Sequence, residues 1–143
     1  MLLRSLLAWA CLVVLAFSAI AQEEIRSFDV EIEVDRGGDI VVTETIRVNV
    51  EGRDIRRGIF REFPAYELDE ETGGRLPIRY KILSVRKDGV REPYERDQYN
   101  NAVQVRIGKE DRFLDYREHV YEIRYRVKNQ VRYFDTHDEL YWN

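Results

Sequence analysis

DIVVTETIRVNVEGRDIRRGIFR, residues Asp39 to Arg61, opens with a run whose alternate positions are Ile40, Val42, Glu44, Ile46, Val48 and Val50. Alternation with period two over this length marks a strand with one buried face. Glu44 breaks the run, because it points where the apolar side chains point. A carboxylate facing a core is costly unless it is paired or hydrogen-bonded. Cations follow a few residues on, in Arg57-Gly58-Ile59-Phe60-Arg61, and Arg61 is the expected partner of Glu44.

The flanks extend the same pattern. Upstream, Phe28, Val30, Ile32 and Val34 alternate with Asp29, Glu31, Glu33 and Asp35, which predicts a strand with a dry face and a wet face. Arg36-Gly37-Gly38 joins the two runs as a hairpin. Downstream, Arg56 to Phe63 predicts a short strand ended by Pro64, and the acidic, glycine-bearing Ala65 to Leu76 an exposed loop. From Pro77, Ile78, Tyr80 and Ile82 share one phase while Leu83 and Val85 share the other. That switch predicts a bulge, or a strand covered on both faces.

Lys87-Asp88-Gly89 reads as a turn, Val90 to Tyr94 as a short return and Arg96 to Asn101 as a polar loop. Val103, Val105 and Ile107 alternate until Gly108, and Glu110 to Tyr116 is a connection with room for one helical turn. His119, Tyr121, Ile123, Tyr125 and Val127 then predict the last long strand, before Val131 to Phe134 and a polar-aromatic end. About seven short strands with turns between them, and no helical period, predict an all-β fold. The expected architecture is an antiparallel β-sandwich, immunoglobulin-like, with a partly open barrel as the alternative.

Residues 1–21 stand apart. Arg4, the apolar run Leu6 to Phe17 and the small-x-small Ala19-Ile20-Ala21 make the three-part layout of a secretory signal peptide, cleaved after Ala21. The apolar run is shorter than the roughly 20 residues that span a bilayer. Cys11 lies inside it, so residues 22–143, read as a single domain, contain no cysteine. In an exported, periplasmic or extracellular protein this removes disulfides, thiol catalysis and thiolate-bound metal. The formal charge is −4, with cations and carboxylates interleaved. A nucleic-acid binder would show a basic stripe instead, so no nucleic-acid partner is expected.

Catalytic signatures are missing from the sequence: it has no Gly-x-Ser-x-Gly, no phosphate-cradling glycine loop and no His-Glu-x-x-His. His119 is expected to be a partly covered edge residue. His137, in Asp135-Thr136-His137-Asp138-Glu139, is the alternative: with these carboxylates it could serve a divalent-metal-dependent enzyme. Short runs of this kind are more often solvated turns, so no cofactor, no metal and no catalysis are expected. Arg53, Arg56, Arg57 and Arg61 could hold an anion or lipid headgroups. The simpler expectation is that one of them neutralises Glu44 while the others are solvated. Tyr121 and Tyr125 are expected at the core rim with hydroxyls reaching solvent. Tyr141 and Trp142 end the chain with no following strand to cover them.

Several short motifs agree in order: Ile25-Arg26-Ser27-Phe28-Asp29-Val30, Gly38-Asp39-Ile40-Val41-Val42-Thr43-Glu44-Thr45-Ile46 and Arg57-Gly58-Ile59-Phe60-Arg61-Glu62-Phe63-Pro64. Ser84-Val85 with Asp88-Gly89, Val105-Arg106-Ile107-Gly108, Tyr121-Glu122-Ile123-Arg124-Tyr125 and Asp138-Glu139-Leu140-Tyr141-Trp142-Asn143 follow. In this the chain resembles the N-terminal domain of the bacterial predicted membrane proteins known as domain of unknown function 2207. The resemblance implies an extracytoplasmic β-rich domain followed by transmembrane helices, with a further strand after Asn143 that this chain is expected to lack. It implies no activity and transfers no catalytic residue. Glu44, Arg57, Gly58, Arg61, Tyr141 and Trp142 are the candidates for a structural or interaction role, toward a protein or envelope partner.

Overall fold

The computed structural model describes residues 23–69, 72–99, 101–140 and 142. The signal-peptide reading of residues 1–21 and the candidate Tyr141 lie outside these residues. Among the described residues twelve strands form: β1 (Glu24–Val34), β2 (Ile40–Asn49), β3 (Gly58–Pro64), β4 (Tyr66–Leu68), β5 (Arg75–Pro77), β6 (Tyr80–Lys87), β7 (Val90–Arg91), β8 (Tyr94–Tyr99), β9 (Ala102–Gly108), β10 (Glu118–Val127), β11 (Val131–Tyr133) and β12 (Asp138–Leu140). No helix is present among the described residues. The all-β reading holds, as several antiparallel sheets.

The largest sheet runs β1-β2-β10-β6-β7 and the second β3-β9-β8, with two-stranded β4-β5 and β11-β12 beside them. Every pairing is antiparallel. β2 lies between β1 and β10, and its burial alternates without a fault from Ile40 to Asn49. The β1–β2 turn follows from its residues. The Asp35 carboxylate accepts the Gly37 and Asp39 amides, and Gly38 takes a φ of +83° that costs glycine little. At the β6–β7 turn Asp88 and Gly89 both have positive φ, 52° and 79°, as a tight two-residue hairpin requires.

Buried side chains of the two larger sheets belong to one core, with Val42 and Ile46 from β2, Tyr121 and Ile123 from β10, and Val103, Val105 and Ile107 from β9. Three rings tie the sheets together. Phe63 of β3 stacks on Tyr80 of β6 at 4.9 Å and meets the edge of Tyr125 of β10 at 4.8 Å. Such ring pairs add about 1 kcal/mol each to their area burial. The predicted irregularity in β6 is a bulge. Ser84 opposes Arg124 while Ile82 opposes Tyr125, so Leu83 is the extra residue.

Some expectations need correction. Ala65 to Leu76 is no simple loop, because β4 and β5 pair across the Thr72-Gly73-Gly74 turn and Ala65 is buried. Nor is Arg96 to Asn101: β8 runs to Tyr99, fully exposed, as a polar edge strand held by β9. Glu110 to Tyr116 contains no helical turn. His119 is buried, because Asp88 Oδ2 meets its Nδ1 at 2.8 Å and the Asp115 carbonyl meets its Nε2 at 3.0 Å. Tyr121 and Tyr125 are wholly buried, not at the rim. β1 departs most: its apolar row faces the core side yet stays open, with Phe28 48% and Val34 53% exposed. Of this row only Ile32 packs against the core.

Candidate functional site

Glu44 sits at the middle of β2, fully buried. Its inward direction was set by the alternation, and the facing sheet supplies its partner. Arg61 of β3 grips it with two parallel bonds, Nε to Oε2 at 2.7 Å and Nη2 to Oε1 at 2.9 Å. This is the fork geometry that makes guanidinium–carboxylate pairs strong. Burial alone would lower the Arg61 pKa, but the Glu44 hydrogen bonds and charge outweigh it and hold it above its ordinary value. The guanidinium also lies over Phe63 at 4.7 Å and Phe28 at 5.5 Å.

Tyr125 completes the centre. Its hydroxyl donates to Glu44 Oε1 at 2.8 Å and accepts a hydrogen bond from Trp142. Burial, then the neighbouring Glu44 charge, pushes its pKa well up, so it remains a donor. Three candidates, Glu44, Arg61 and Trp142, are thus joined through a tyrosine expected at the core rim with its hydroxyl in solvent. The signal was there in part, since the hydroxyl of a tyrosine in phase with a core usually finds a partner inside it. Trp142 is correspondingly half-buried rather than uncovered: it packs against the core and lines a small cavity with Pro64, Tyr80, Val127 and Gln130.

The two in-phase tyrosines differ in a testable way. The Tyr121 hydroxyl is buried and has no hydrogen-bond partner among the described residues. Tyr125→Phe is expected to cost about 2 kcal/mol, as a lost bond to a charged acceptor does, and Tyr121→Phe no more than about 0.5 kcal/mol. Urea denaturation compares them, and equal losses would contradict the assignment of Tyr125 to Glu44.

The other candidates do not join this centre. Arg57 is exposed and stacks on Phe113 at 4.5 Å. Gly58 faces Gly108 at the open end of the β3–β9 pair. His137 is exposed, stacked on Phe134 at 4.9 Å, with Glu139 as its carboxylate at 3.2 Å. Among the described residues no group of three His, Cys, Asp or Glu side chains is placed to hold a metal ion. Asp88 serves structure: burial opposes its charge, but hydrogen bonds from the Val120 amide, His119 and Arg117 hold its pKa down at about 2.

Between the β1 and β3 edges lies an open groove of about 500 Å³, lined chiefly by Ile25, Phe28, Ile46, Val48, Ile55, Ile59 and Phe60. Its apolar floor continues the core, and Arg61 forms part of its wall. Such a surface can bind by burial, and its one committed cation is spent on Glu44.

The family described as Predicted membrane protein (DUF2207) N-terminal domain matches residues 24–143. The chain is also similar to the "Uncharacterized protein YciQ" of Escherichia coli (strain K12), with 30% identity over 122 residues. That match covers 85% of this chain and 19% of the E. coli protein, so the chain spans about a fifth of its relative. No solved structure matches it. The chain belongs to the DUF2207 N-terminal domain family.

Proposed function

From that membership we propose that this chain is the extracytoplasmic, non-catalytic interaction domain of a membrane protein. It is exported by its leader, cleaved after Ala21, and lies in the periplasm or outside the cell. The tether is a membrane segment downstream of Asn143, preceded by a further strand. On this reading the two larger sheets form an immunoglobulin-like β-sandwich that presents an open side to a protein or envelope partner, without cofactor, metal or nucleic acid.

The observation that carries the reading is the apolar groove between β1 and β3. Single exposed apolar residues are ordinary on protein surfaces, but a contiguous concave patch that extends a core is a binding surface. The buried charge centre behind it holds both sheets in place and offers no reactive group to a substrate. Both Glu44 oxygens are occupied, by Arg61 and Tyr125.

The test is site-specific photo-crosslinking in intact cells, with the full membrane protein carrying a photoreactive residue at Ile25 or Phe60. Val90, exposed on the far edge of the large sheet, is the control position. A discrete adduct from Ile25 and Phe60, missing from Val90, is the expected result. Identical patterns from all three positions would remove the groove from consideration as a binding surface.

A further inference from the structure

Among the described residues β1 is one unpaired edge of the five-stranded sheet. Edge strands are ordinarily protected by charged side chains, lysine above all, and by prolines, bulges or short length; the charges of β1 from Asp29 to Glu33 are all of one sign, which repels a like strand but not a cationic one. β1 runs from Glu24 to Val34 without a proline or a lysine, and its bulge, at Arg26, sits near one end. From Phe28 to Val34 the pairing with β2 is continuous, which leaves about 23 Å of regular backbone edge free.

The two faces of this segment differ in chemistry. Phe28, Val30, Ile32 and Val34 share the core-side face, opposite Ile46, Glu44, Val42 and Ile40 of β2. Asp29, Glu31 and Glu33 share the other face, with no cation among them on the strand. Glu33 is paired with Arg124 at 3.0 Å, whereas Asp29 and Glu31 are exposed and in no ion pair among the described residues.

We propose that β1 is a strand-docking edge for another polypeptide, an extended segment that alternates apolar with Lys or Arg residues. Its backbone adds to the sheet as a sixth strand beside β1. Its apolar side chains lie along Phe28, Val30 and Val34, and its cations lie along Asp29, Glu31 and Glu33. Cross-strand neighbours of opposite charge stabilise such a pairing, and like charges oppose it. This disfavours a second copy of the chain as occupant. Antiparallel self-pairing about Glu31 would set Glu31 against Glu31 and Asp29 against Glu33. The inference rests on the interaction-domain reading and names the partner's chemistry.

Hydrogen exchange and titration calorimetry on the full chain test it, using three synthetic peptides of about nine residues, long enough to cover the free edge. One alternates valine and lysine, one alternates valine and glutamate, and one holds the valines and lysines in separate blocks. The alternating valine–lysine peptide should bind about tenfold more tightly than either of the others, from roughly three favourable cross-strand pairs. It should also slow exchange of the amides between Phe28 and Val34. In the variant Asp29→Lys with Glu31→Lys, preference should pass to the valine–glutamate peptide.

Equal binding by the blocked peptide, or protection elsewhere than β1, would overturn strand docking. So would dimerisation through β1 in sedimentation, or refusal of the peptide by the full-length membrane protein, whose own chain would then occupy the edge. An adduct from Ile25 or Phe60 in cells together with a blank peptide titration would discard this inference alone. The reverse pair of results would discard the groove while leaving the edge.

Discussion

Arg61→Ala is expected to destabilise the protein by about 3–5 kcal/mol, the loss seen when one member of a buried pair is removed. The size follows from what is left behind. Glu44 has no exposed surface, and the nearest core neighbours on its strand are Val42 and Ile46. With Arg61 gone, only the Tyr125 hydroxyl would still bond the carboxylate. Glu44→Ala should cost less. Its orphan, Arg61, keeps 23% of its side chain exposed and retains a carbonyl contact with Glu62, so the guanidinium can turn toward water. The double variant should cost less than the sum of the singles, because each single includes the penalty of an orphaned charge. Chemical denaturation of the four proteins closes the cycle. Strict additivity would show that the bidentate geometry contributes nothing. Replacing Glu44 and Arg61 with leucine together with Tyr125→Phe, so that no buried hydroxyl loses its acceptor, is expected to be nearly neutral, since a buried ion pair gains little over well-packed apolar side chains.

This pair also shows how much was legible beforehand. Period-two alternation identifies β2 and fixes the direction of Glu44, and burial physics then demands a cation. Arg61 was the right choice because β3 carries it in phase with Phe63 and Ile59, on the face that meets the core. β1 was legible as a strand but not as an exposed one. Its alternation is as clean as that of β2, yet whether a face is covered depends on how far the opposite sheet extends, which no local pattern records. β8 and the β4–β5 hairpin were illegible for a related reason. Tyr94-Glu95-Arg96-Asp97-Gln98-Tyr99 has no buried face, so its pairing with β9 leaves no hydrophobic trace. Tyr125 was misplaced because rim and core tyrosines read alike until a partner for the hydroxyl is known.

Gly58→Ala should be about as damaging, at about 3 kcal/mol or more, although it removes no contact. Gly58 and Gly108 are directly opposed where β3 and β9 begin to pair, with φ of +149° and +126°. A Cβ on Gly58 would stand 1.8 Å from the Ile107 carbonyl oxygen, and one on Gly108 would stand 2.1 Å from that of Arg57. Both obstacles are backbone, so no side-chain rotation relieves them, and the strands must part. Gly89 provides the contrast. It also has positive φ, +79°, but a Cβ there meets nothing within 4 Å, so Gly89→Ala should cost only the conformational penalty of about 1 kcal/mol. If Gly58→Ala and Gly89→Ala unfold at the same denaturant concentration, the close approach at Gly58 is not what glycine provides there. The pair Gly58→Ala with Gly108→Ala should lose less than the two separate losses together, because strands already parted by one methyl group accommodate the second. The damage should also reach the groove. Gly58 lies in its wall beside Ile59 and Arg61, so displacing the start of β3 moves the surface against which a partner would pack.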